Sequence, residues 1–251
     1  MLGGVLLLAV VVAVVLLRPD DVTPQRAVPQ DVPGPVLLVP GYGGGTGTLD
    51  SLAQALRATG RVALVVEPVG DGTGDLREVA AQLDRAVREQ LAAGAPSVDV
   101  VGYSAGGVTA RWWAAELGGD EVARRVVTLG SPHDGTDVAA LAAAFAPASC
   151  PEACRQLVPG SDLLSDLDQT PDGPKWTSIW TSQDQAVTPP DSARLDGAVN
   201  IELQLVCADA QVAHGQLPTD PLTVALVTLA LAVEPLEVAP PASDCALLRG
   251  G

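Results

Sequence analysis

The stretch VDVVGYSAGG, residues 98–107, joins a short apolar run to a Gly-x-Ser-x-Gly pentapeptide and then to the start of a helical pattern. A serine at such a turn takes a strained backbone conformation that projects its hydroxyl from the edge of a sheet. Its neighbours must be small so that strand and helix can approach, and Gly102, Gly106 and Gly107 meet this need. An ordinary glycine-rich turn is the alternative interpretation. The strand, turn and helix context favours Ser104 as a nucleophile.

A serine hydroxyl is a weak nucleophile at neutral pH and needs a base. The chain has two histidines. His214 lies in the loop between the last predicted strand and the C-terminal helix, where the base belongs in the chain order serine, acid, histidine. His133 lies directly after an earlier strand, and its alternative role is a hydrogen bond that fixes the start of a cap. We therefore predict His214 as the base.

The base in turn needs a carboxylate that orients it. Asp184 follows the apolar run Ser178-Ile179-Trp180, so its side chain is expected at the carboxyl end of a strand. The order Ser104, Asp184, His214 then matches that of a serine, acid, histidine triad. The rival acids more commonly cap turns or face solvent; they are Asp191, Asp196 and Asp209.

The oxyanion of an acyl-transfer reaction needs two fixed N–H donors. The first is expected from Ala105, directly after the nucleophile, and the second from the loop PGYGGG, residues 40–45, with Tyr42 as the donor. A nucleotide-binding loop is the rival interpretation of these glycines. It fails because Thr46 stands where the dinucleotide pattern requires glycine, and because no lysine supplies a phosphate-loop ending.

Apolar runs typical of strands alternate with helical patterns from residue 36 onward. Strands are predicted at residues 36–39, 62–66, 98–101, 126–129, 177–181 and 199–206. Helices are predicted at residues 49–59, 76–91, 105–117 and 222–233. Continuous apolar strands separated by helices indicate an α/β fold, with a mostly parallel central sheet covered by helices on both faces.

About forty-five residues separate the predicted strand that ends at residue 129 from the one that begins at residue 177. Such a segment is too long for a plain connection in a compact domain. We predict a small cap insertion at about residues 135–175, with two short helices. The chain has four cysteines, and three pairings are possible. The pairs Cys150 with Cys154 and Cys207 with Cys245 are favoured, because the first two lie so close in sequence.

The N-terminal residues 2–17 are uncharged and apolar. They predict an export signal or membrane-anchoring helix over residues 1–18, followed by a proline-rich linker over residues 19–35 and the main domain over residues 36–251. A buried core helix is the alternative for the first segment. Together with the four cysteines, this segment predicts an exported protein, extracellular or in the cell envelope and anchored through its N-terminus.

Composition excludes several classes of protein. A formal net charge of −16 leaves no cationic surface for DNA or RNA, so no nucleic acid partner is expected. A hydrophobic content of 47% excludes global disorder. Neither a calcium loop nor a zinc spacing is recognisable, and we predict no metal and no cofactor.

Four segments resemble motifs of a known family: residues 39–44 (VPGYGG), 102–107 (GYSAGG), 129–136 (LGSPHDGT) and 156–161 (QLVPGS). On them, residues 36–233 resemble the α/β-hydrolase superfamily and, more narrowly, bacterial secreted lipases and esterases. Pro40 departs from the histidine usual before the oxyanion glycine, which removes a side chain without affecting the Tyr42 donor. The resemblance implies the α/β-hydrolase fold and hydrolysis of carboxylic esters of lipids or small acyl compounds through an acyl-enzyme.

Two other functions are compatible with the sequence. The same triad serves thioester cleavage or acyl transfer, and a catalytically silent hydrolase fold can act as a binding module of the cell envelope. The sequence does not determine the oligomeric state or the acyl chain length.

Overall fold

The computed structural model describes residues 28–167 and 170–250. Their strands form one six-stranded parallel sheet with the order β2-β1-β3-β4-β5-β6. The strands are β1 Val36–Val39, β2 Ala63–Val65, β3 Val98–Tyr103, β4 Ala123–Leu129, β5 Lys175–Trp180 and β6 Val199–Glu202. The predicted parallel sheet is confirmed.

Helices cover both faces of this sheet, as predicted. The helices of the described residues are α1 Gly47–Ala58, α2 Leu76–Ala92, α3 Ala105–Glu116, α4 Asp137–Phe145, α5 Glu152–Gln156, α6 Asp162–Ser165, α7 Leu203–Val206, α8 Pro221–Ala230 and α9 Cys245–Leu248. One core cluster joins one sheet face to α1 and α8, and the other joins the opposite face to α2 and α3. Because both faces are buried, nearly every side chain of strands β1, β3, β4 and β5 is buried.

Strand β1 shows how side chains alternate between the two cores. Val36 and Leu38 lie in the cluster with α1 and α8, whereas Leu37 and Val39 lie in the cluster with α2 and α3. All four side chains are buried. The period of two along a strand therefore supplies both layers from one short apolar run.

Strand β4 begins at Ala123, three residues before the predicted start at residue 126. The additional residues include Arg124 and Arg125, which are buried although they are charged. Arg124 binds the buried Asp99 carboxylate of β3 through Nη2 at 2.6 Å and Nε at 3.1 Å. Arg61 contacts the same carboxylate. Charged residues usually indicate a solvent face, and the burial of Arg124 is tolerable because a carboxylate on the neighbouring strand pairs with it. Arg125 instead donates to the Gln30 side chain and to the Val233 carbonyl oxygen.

The predicted strand over residues 199–206 is partly wrong. β6 ends at Glu202, and Leu203–Val206 forms the short helix α7. Leu203 and Val206, three positions apart, are buried, whereas Leu205 is 72% exposed. This burial spacing belongs to a helix, and a short apolar run does not distinguish it from a strand.

The connection between β4 and β5 contains three short helices, α4, α5 and α6, rather than the two predicted. A disulfide joins Cys150 to Cys154, and a second joins Cys207 to Cys245. The structure thus confirms the favoured cysteine pairing. The second disulfide ties the C-terminal tail to the loop that leads to His214.

The predicted N-terminal segment, residues 1–18, lies outside the described residues, as do linker residues 19–27. Export and anchoring through this segment stay predictions. The described end of the linker packs against the domain, where Gln30 accepts hydrogen bonds from Arg124 and Arg125. Within residues 28–167 and 170–250, no helix is long and apolar enough to cross a membrane.

His133 lies in the interior, directly after β4. Its Nε2 is 3.1 Å from the Thr128 hydroxyl, and its carbonyl oxygen accepts a hydrogen bond from Arg111. Burial, with a smaller contribution from the positive charge of Arg111, lowers the pKa of His133 from 6.5 to about 3. The imidazole is therefore neutral in the folded protein.

We expect replacement of the buried carboxylate, Asp99→Asn, to lower the free energy of unfolding by about 3–5 kcal/mol, because Arg124 keeps a buried charge without its counter-ion. Urea-induced unfolding measures this. Glu152→Gln is the matched control, since it removes an exposed ion pair with Arg155 and should cost no more than about 0.5 kcal/mol. Equal small losses in both variants would contradict a stabilising role for the buried pair.

We also expect His133 to make the protein acid-sensitive. Below pH 6.5 the unfolded chain binds a proton at this histidine that the folded chain does not accept until about pH 3, so stability is lost as the pH falls. The difference in free energy of unfolding between wild type and His133→Gln should decrease by about 1.4 kcal/mol for each pH unit as the pH falls from about 6 to 4. Parallel stability curves for the two proteins, measured by urea unfolding, would contradict this.

Candidate active site

Ser104 stands at the turn between β3 and α3 with φ 53° and ψ −127°. It is the one residue other than glycine with a positive φ among the residues that the structure describes. The backbone packs so closely around this turn that a side chain would not fit at two of its glycines. A Cβ on Gly102 would lie 2.5 Å from the Gly107 Cα, and one on Gly106 would lie 2.3 Å from the Val39 carbonyl oxygen. The glycines thus allow the approach that holds Ser104 in a strained conformation.

Three predicted side chains meet at this turn. The His214 Nε2 lies 3.0 Å from the Ser104 Oγ, and the His214 Nδ1 lies 2.6 Å from the Asp184 Oδ2. The three residues come from the ends of different elements, 110 and 30 positions apart in sequence. With the proton on Nδ1 donated to the carboxylate, Nε2 is left to accept the serine hydroxyl proton.

The Asp184 carboxylate is fixed by the loop that follows β5. Its Oδ1 accepts hydrogen bonds from the amides of Ala186 at 2.9 Å and Val187 at 2.8 Å, so Oδ2 is directed at His214. The side chain is 1% exposed, against 15% for that of His214. A buried carboxylate with every oxygen bonded holds the imidazole in one orientation and one tautomer.

The loop predicted to carry the oxyanion donor lies against the nucleophile. A Cβ on Gly41 would lie 2.9 Å from the Ser104 Cβ, which places residues 40–44 beside the serine. Tyr42 is half-exposed next to this contact. Ala105 is the first residue of α3, a position whose amide has no acceptor inside its own helix.

A turn at residues 70–73 supports this loop from behind. The Gly43 amide donates to the Gly72 carbonyl oxygen at 2.9 Å, and a Cβ on Gly72 would lie 2.2 Å from the Gly44 nitrogen. The cap holds the same turn, because the Ala153 amide donates to the Thr73 carbonyl oxygen at 3.1 Å. The loop beside Ser104 is therefore in contact, through one turn, with helix α5.

Gln156, at the end of α5, adds a second connection between the cap and the domain. Its buried side chain accepts a hydrogen bond from the Leu76 amide at 2.8 Å and donates one to the Asp75 carboxylate at 2.6 Å. Asp75 also caps the N-terminus of α2. These bonds fix the cap to the nucleophile side of the domain.

The rival residues lie elsewhere. His133 is the buried histidine, and its hydrogen bond to Thr128 of β4 fixes the chain just before the cap. Thr136 also holds the start of the cap, because it bonds Ala186 and Thr188 in the loop after Asp184. Asp209 is exposed and pairs with Arg249. Asp191 belongs to a 3₁₀ turn over Pro190–Ala193, and Asp196 accepts a bond from Thr170 at its backbone.

Two neighbours of the three side chains are missing from the sequence interpretation. Gly130, with φ 53°, directly follows β4, and a Cβ there would lie 3.1 Å from the His214 Nδ1 and 3.2 Å from the Asp184 Oδ2. The Tyr103 ring lies 5.2 Å from the imidazole, centroid to centroid. Gly130 stands inside the motif LGSPHDGT and Tyr103 inside GYSAGG, but their contacts with His214 depend on the tertiary structure.

Within the described part of the chain, no group of three or more His, Cys, Asp or Glu side chains is placed to hold a metal ion. The side chains around Ser104 are those of acyl chemistry: a hydroxyl, an imidazole and a carboxylate in one hydrogen-bonded row.

No protein-family model matches the sequence, and no curated protein matches it. Solved structures do. The mature form of the Bacillus licheniformis lipase BlEst2 matches with a TM-score of 0.65 and 19% identity, over 80% of this chain and 93% of that one. The Aspergillus fumigatus lipase B matches with a TM-score of 0.69 and 19% identity, over 87% of this chain and 56% of that one, so this chain spans little more than half of that lipase.

An extracellular α/β-hydrolase from a Paenibacillus species matches with a TM-score of 0.54 and 16% identity, over 80% of this chain and 100% of that one. At sequence identities of 16–19%, these matches are informative about the fold. The sheet order, the helices on both faces and these likenesses together show that the chain has the α/β-hydrolase fold, as its sequence motifs predict.

Proposed function

We propose that the protein is a serine hydrolase that cleaves carboxylic esters of lipids or small acyl compounds through an acyl-enzyme. The observation that carries the proposal is the continuous hydrogen-bonded row from Ser104 through His214 to Asp184, with Ser104 on a strained turn. The likeness of the fold to lipases supports the same class of reaction.

In the first half of the proposed reaction, the Ser104 oxygen attacks the ester carbonyl carbon while the His214 Nε2 takes the hydroxyl proton. The carbonyl π electrons move to oxygen and form a tetrahedral oxyanion. When the intermediate collapses, the bond to the alcohol oxygen breaks, and the leaving alcohol takes the proton back from His214. Acyl-Ser104 and a free alcohol result.

In the second half, water takes the place of the alcohol. His214 removes a proton from water as the water oxygen attacks the acyl carbon, and it then returns that proton to Ser104 as the acid leaves. Asp184 stays ionised throughout. Its contact with Nδ1 favours the imidazolium that forms twice in each cycle.

The proposed oxyanion donors are the amides of Ala105 and Tyr42. Ala105 lies at the N-terminus of α3, where free amides and the helix dipole both favour negative charge. Tyr42 lies in the loop that packs against Ser104. Because both donors belong to the backbone, they are in place before the substrate binds and need no rearrangement in the transition state.

The proposed location is outside the cytoplasm. All four cysteines are in disulfides, which persist in oxidising compartments and are uncommon in the cytosol. The apolar N-terminal run supports export on sequence grounds. Anchoring of the protein by that run is part of the same proposal.

A fluorophosphonate probe tests the nucleophile. We expect covalent labelling of Ser104 in the purified protein, no labelling of Ser104→Ala, and a loss of about 10⁵-fold in the turnover of nitrophenyl esters. Ser51→Ala, an exposed serine on α1, is the matched control and should label and turn over like wild type. Equal labelling of Ser104→Ala, or no labelling of either protein, would contradict the proposal, and the second result would favour a silent binding module.

A comparison of oxygen esters, thioesters and acceptor alcohols defines the reaction further. We expect hydrolysis of nitrophenyl esters to exceed both thioester cleavage and acceptor-dependent transfer in kcat/KM. Rates ranked in the opposite order would assign the same three side chains to a thioesterase or an acyltransferase.

We expect Gly130→Ala to reduce kcat at least about tenfold. At this φ of 53°, the added Cβ would lie 2.6 Å from the Leu217 Cδ1, 3.1 Å from the His214 Nδ1 and 3.2 Å from the Asp184 Oδ2, and small displacements at a reacting centre have large effects. Steady-state kinetics and a thermal melt measure this. Gly215→Ala is the control, because its Cβ meets open space in the turn next to His214. A Gly130→Ala enzyme as active as Gly215→Ala would show that the Asp184–His214 contact does not limit the reaction.

A further inference from the structure

Tyr103 has no part in the reaction as described, yet it contacts His214 in two ways. Its hydroxyl lies 3.3 Å from the His214 carbonyl oxygen, to which it donates. Its ring lies 5.2 Å from the imidazole, centroid to centroid, with the two planes 33° apart. Tyr103 is half-buried at the end of β3. One side chain thus contacts both the backbone and the ring of the proposed base.

We propose that Tyr103 is a positioning residue that fixes His214 over Ser104 through its hydroxyl and favours the protonated imidazole through its ring. The inference rests on the proposed function, since it assigns His214 the role of base. It adds a residue that the serine, histidine and aspartate chemistry does not require.

The hydroxyl contact joins the nucleophile turn directly to the loop of the base. Tyr103 precedes Ser104 in the chain, and His214 begins the 3₁₀ turn His214–Gln216. The His214 carbonyl oxygen also accepts the Leu217 amide at 3.2 Å, which closes that turn. A bond from Tyr103 to this carbonyl therefore ties the whole turn to the residue beside the nucleophile.

The phenol stays a donor over the whole working range of pH. Burial, together with the negative charge of Asp184, raises the pKa of Tyr103 to about 12. The hydroxyl therefore keeps its proton at any pH where the proposed reaction runs. Ionisation of Tyr103 does not compete with that of the base.

The ring contact acts on the charge of His214. A cation within about 6 Å of an aromatic centroid is attracted to the ring. The imidazole, tilted by 33°, lies within this distance of the Tyr103 ring. The Asp184 carboxylate faces the same imidazole from the loop after β5, and the uncharged Gly130 and Leu217 lie beside it. Asp184 and Tyr103 therefore both favour the protonated form, from the edge and from the face of the imidazole.

Two variants separate the two contacts. Tyr103→Phe removes the hydroxyl and keeps the ring, and we expect kcat to fall about fivefold with KM within about twofold of wild type. Tyr103→Leu also removes the ring, and we expect the pKa of His214 to fall by about 0.5 unit, against less than about 0.2 unit in Tyr103→Phe. A purely structural role would lower stability without moving this pKa.

The pKa of His214 is measurable without turnover. The chain has two histidines, and burial lowers the pKa of His133 to about 3, so in the NMR spectrum of the untagged protein the other imidazole signal is assigned to His214. The acidic limb of the kcat/KM profile gives a second value. Wild-type kcat in Tyr103→Phe together with an unchanged or raised His214 pKa in Tyr103→Leu would overturn the inference.

The same experiments distinguish this failure from failure of the proposed function. If wild type hydrolyses esters and labels at Ser104 while the Tyr103 variants behave like wild type, only the role of Tyr103 is wrong. If wild type does not react with the probe, the proposed function fails first. The NMR titration then still reports whether the tyrosine ring affects His214.

Discussion

The close approach of β3 to α3 is the constraint on which the site depends. None of the three glycines leaves room for a Cβ: one at 102 would meet the backbone of Gly106 and Gly107, one at 106 the backbone of Val39 and Pro40, and one at 107 the side chain of Ser131. The chain between them turns through a conformation that L-residues rarely adopt. The strain at Ser104 persists because the surrounding packing over-determines it. Its consequences are a partly buried hydroxyl within reach of the His214 imidazole and a helix N-terminus directly behind it.

The parallel sheet then brings the other groups to the same edge. Ser104 follows β3, Gly130 follows β4, Asp184 follows β5 and His214 follows β6 and α7. Because the carboxyl ends of parallel strands lie at one edge, residues far apart in sequence become neighbours without a dedicated binding domain. The cap contributes a second layer, since Ala153 holds the turn that supports the loop at residues 40–44 and Gln156 bonds the start of α2.

At the amino ends of the strands the chain uses its charges differently. Asp99, Arg124 and Arg61 form a buried cluster that also binds the carbonyl oxygens of Leu231 and Gly34. The cluster ties the end of the linker and the end of α8 to the sheet. Ion pairs therefore hold together the edge of the sheet at the amino ends of the strands. At the opposite edge, the buried Asp184 carboxylate binds His214.

The sequence by itself is sufficient to predict the parallel sheet, most of its helices and the turn at Ser104, because periodicity and glycine positions are properties of neighbouring residues. It also singled out Asp184 and His214 as the side chains that meet Ser104, because their order along the chain can be read without a structure. Other features were decided only by tertiary packing. Leu203–Val206 is a helix because the side chains of Leu203 and Val206 are both buried against the core. Strand β4 starts before its predicted first residue because Asp99 pairs with the buried Arg124. Tyr103 and Gly130 reach His214 because different strands end at the same edge of the sheet. Each depends on a contact between distant residues, and no local pattern contains it.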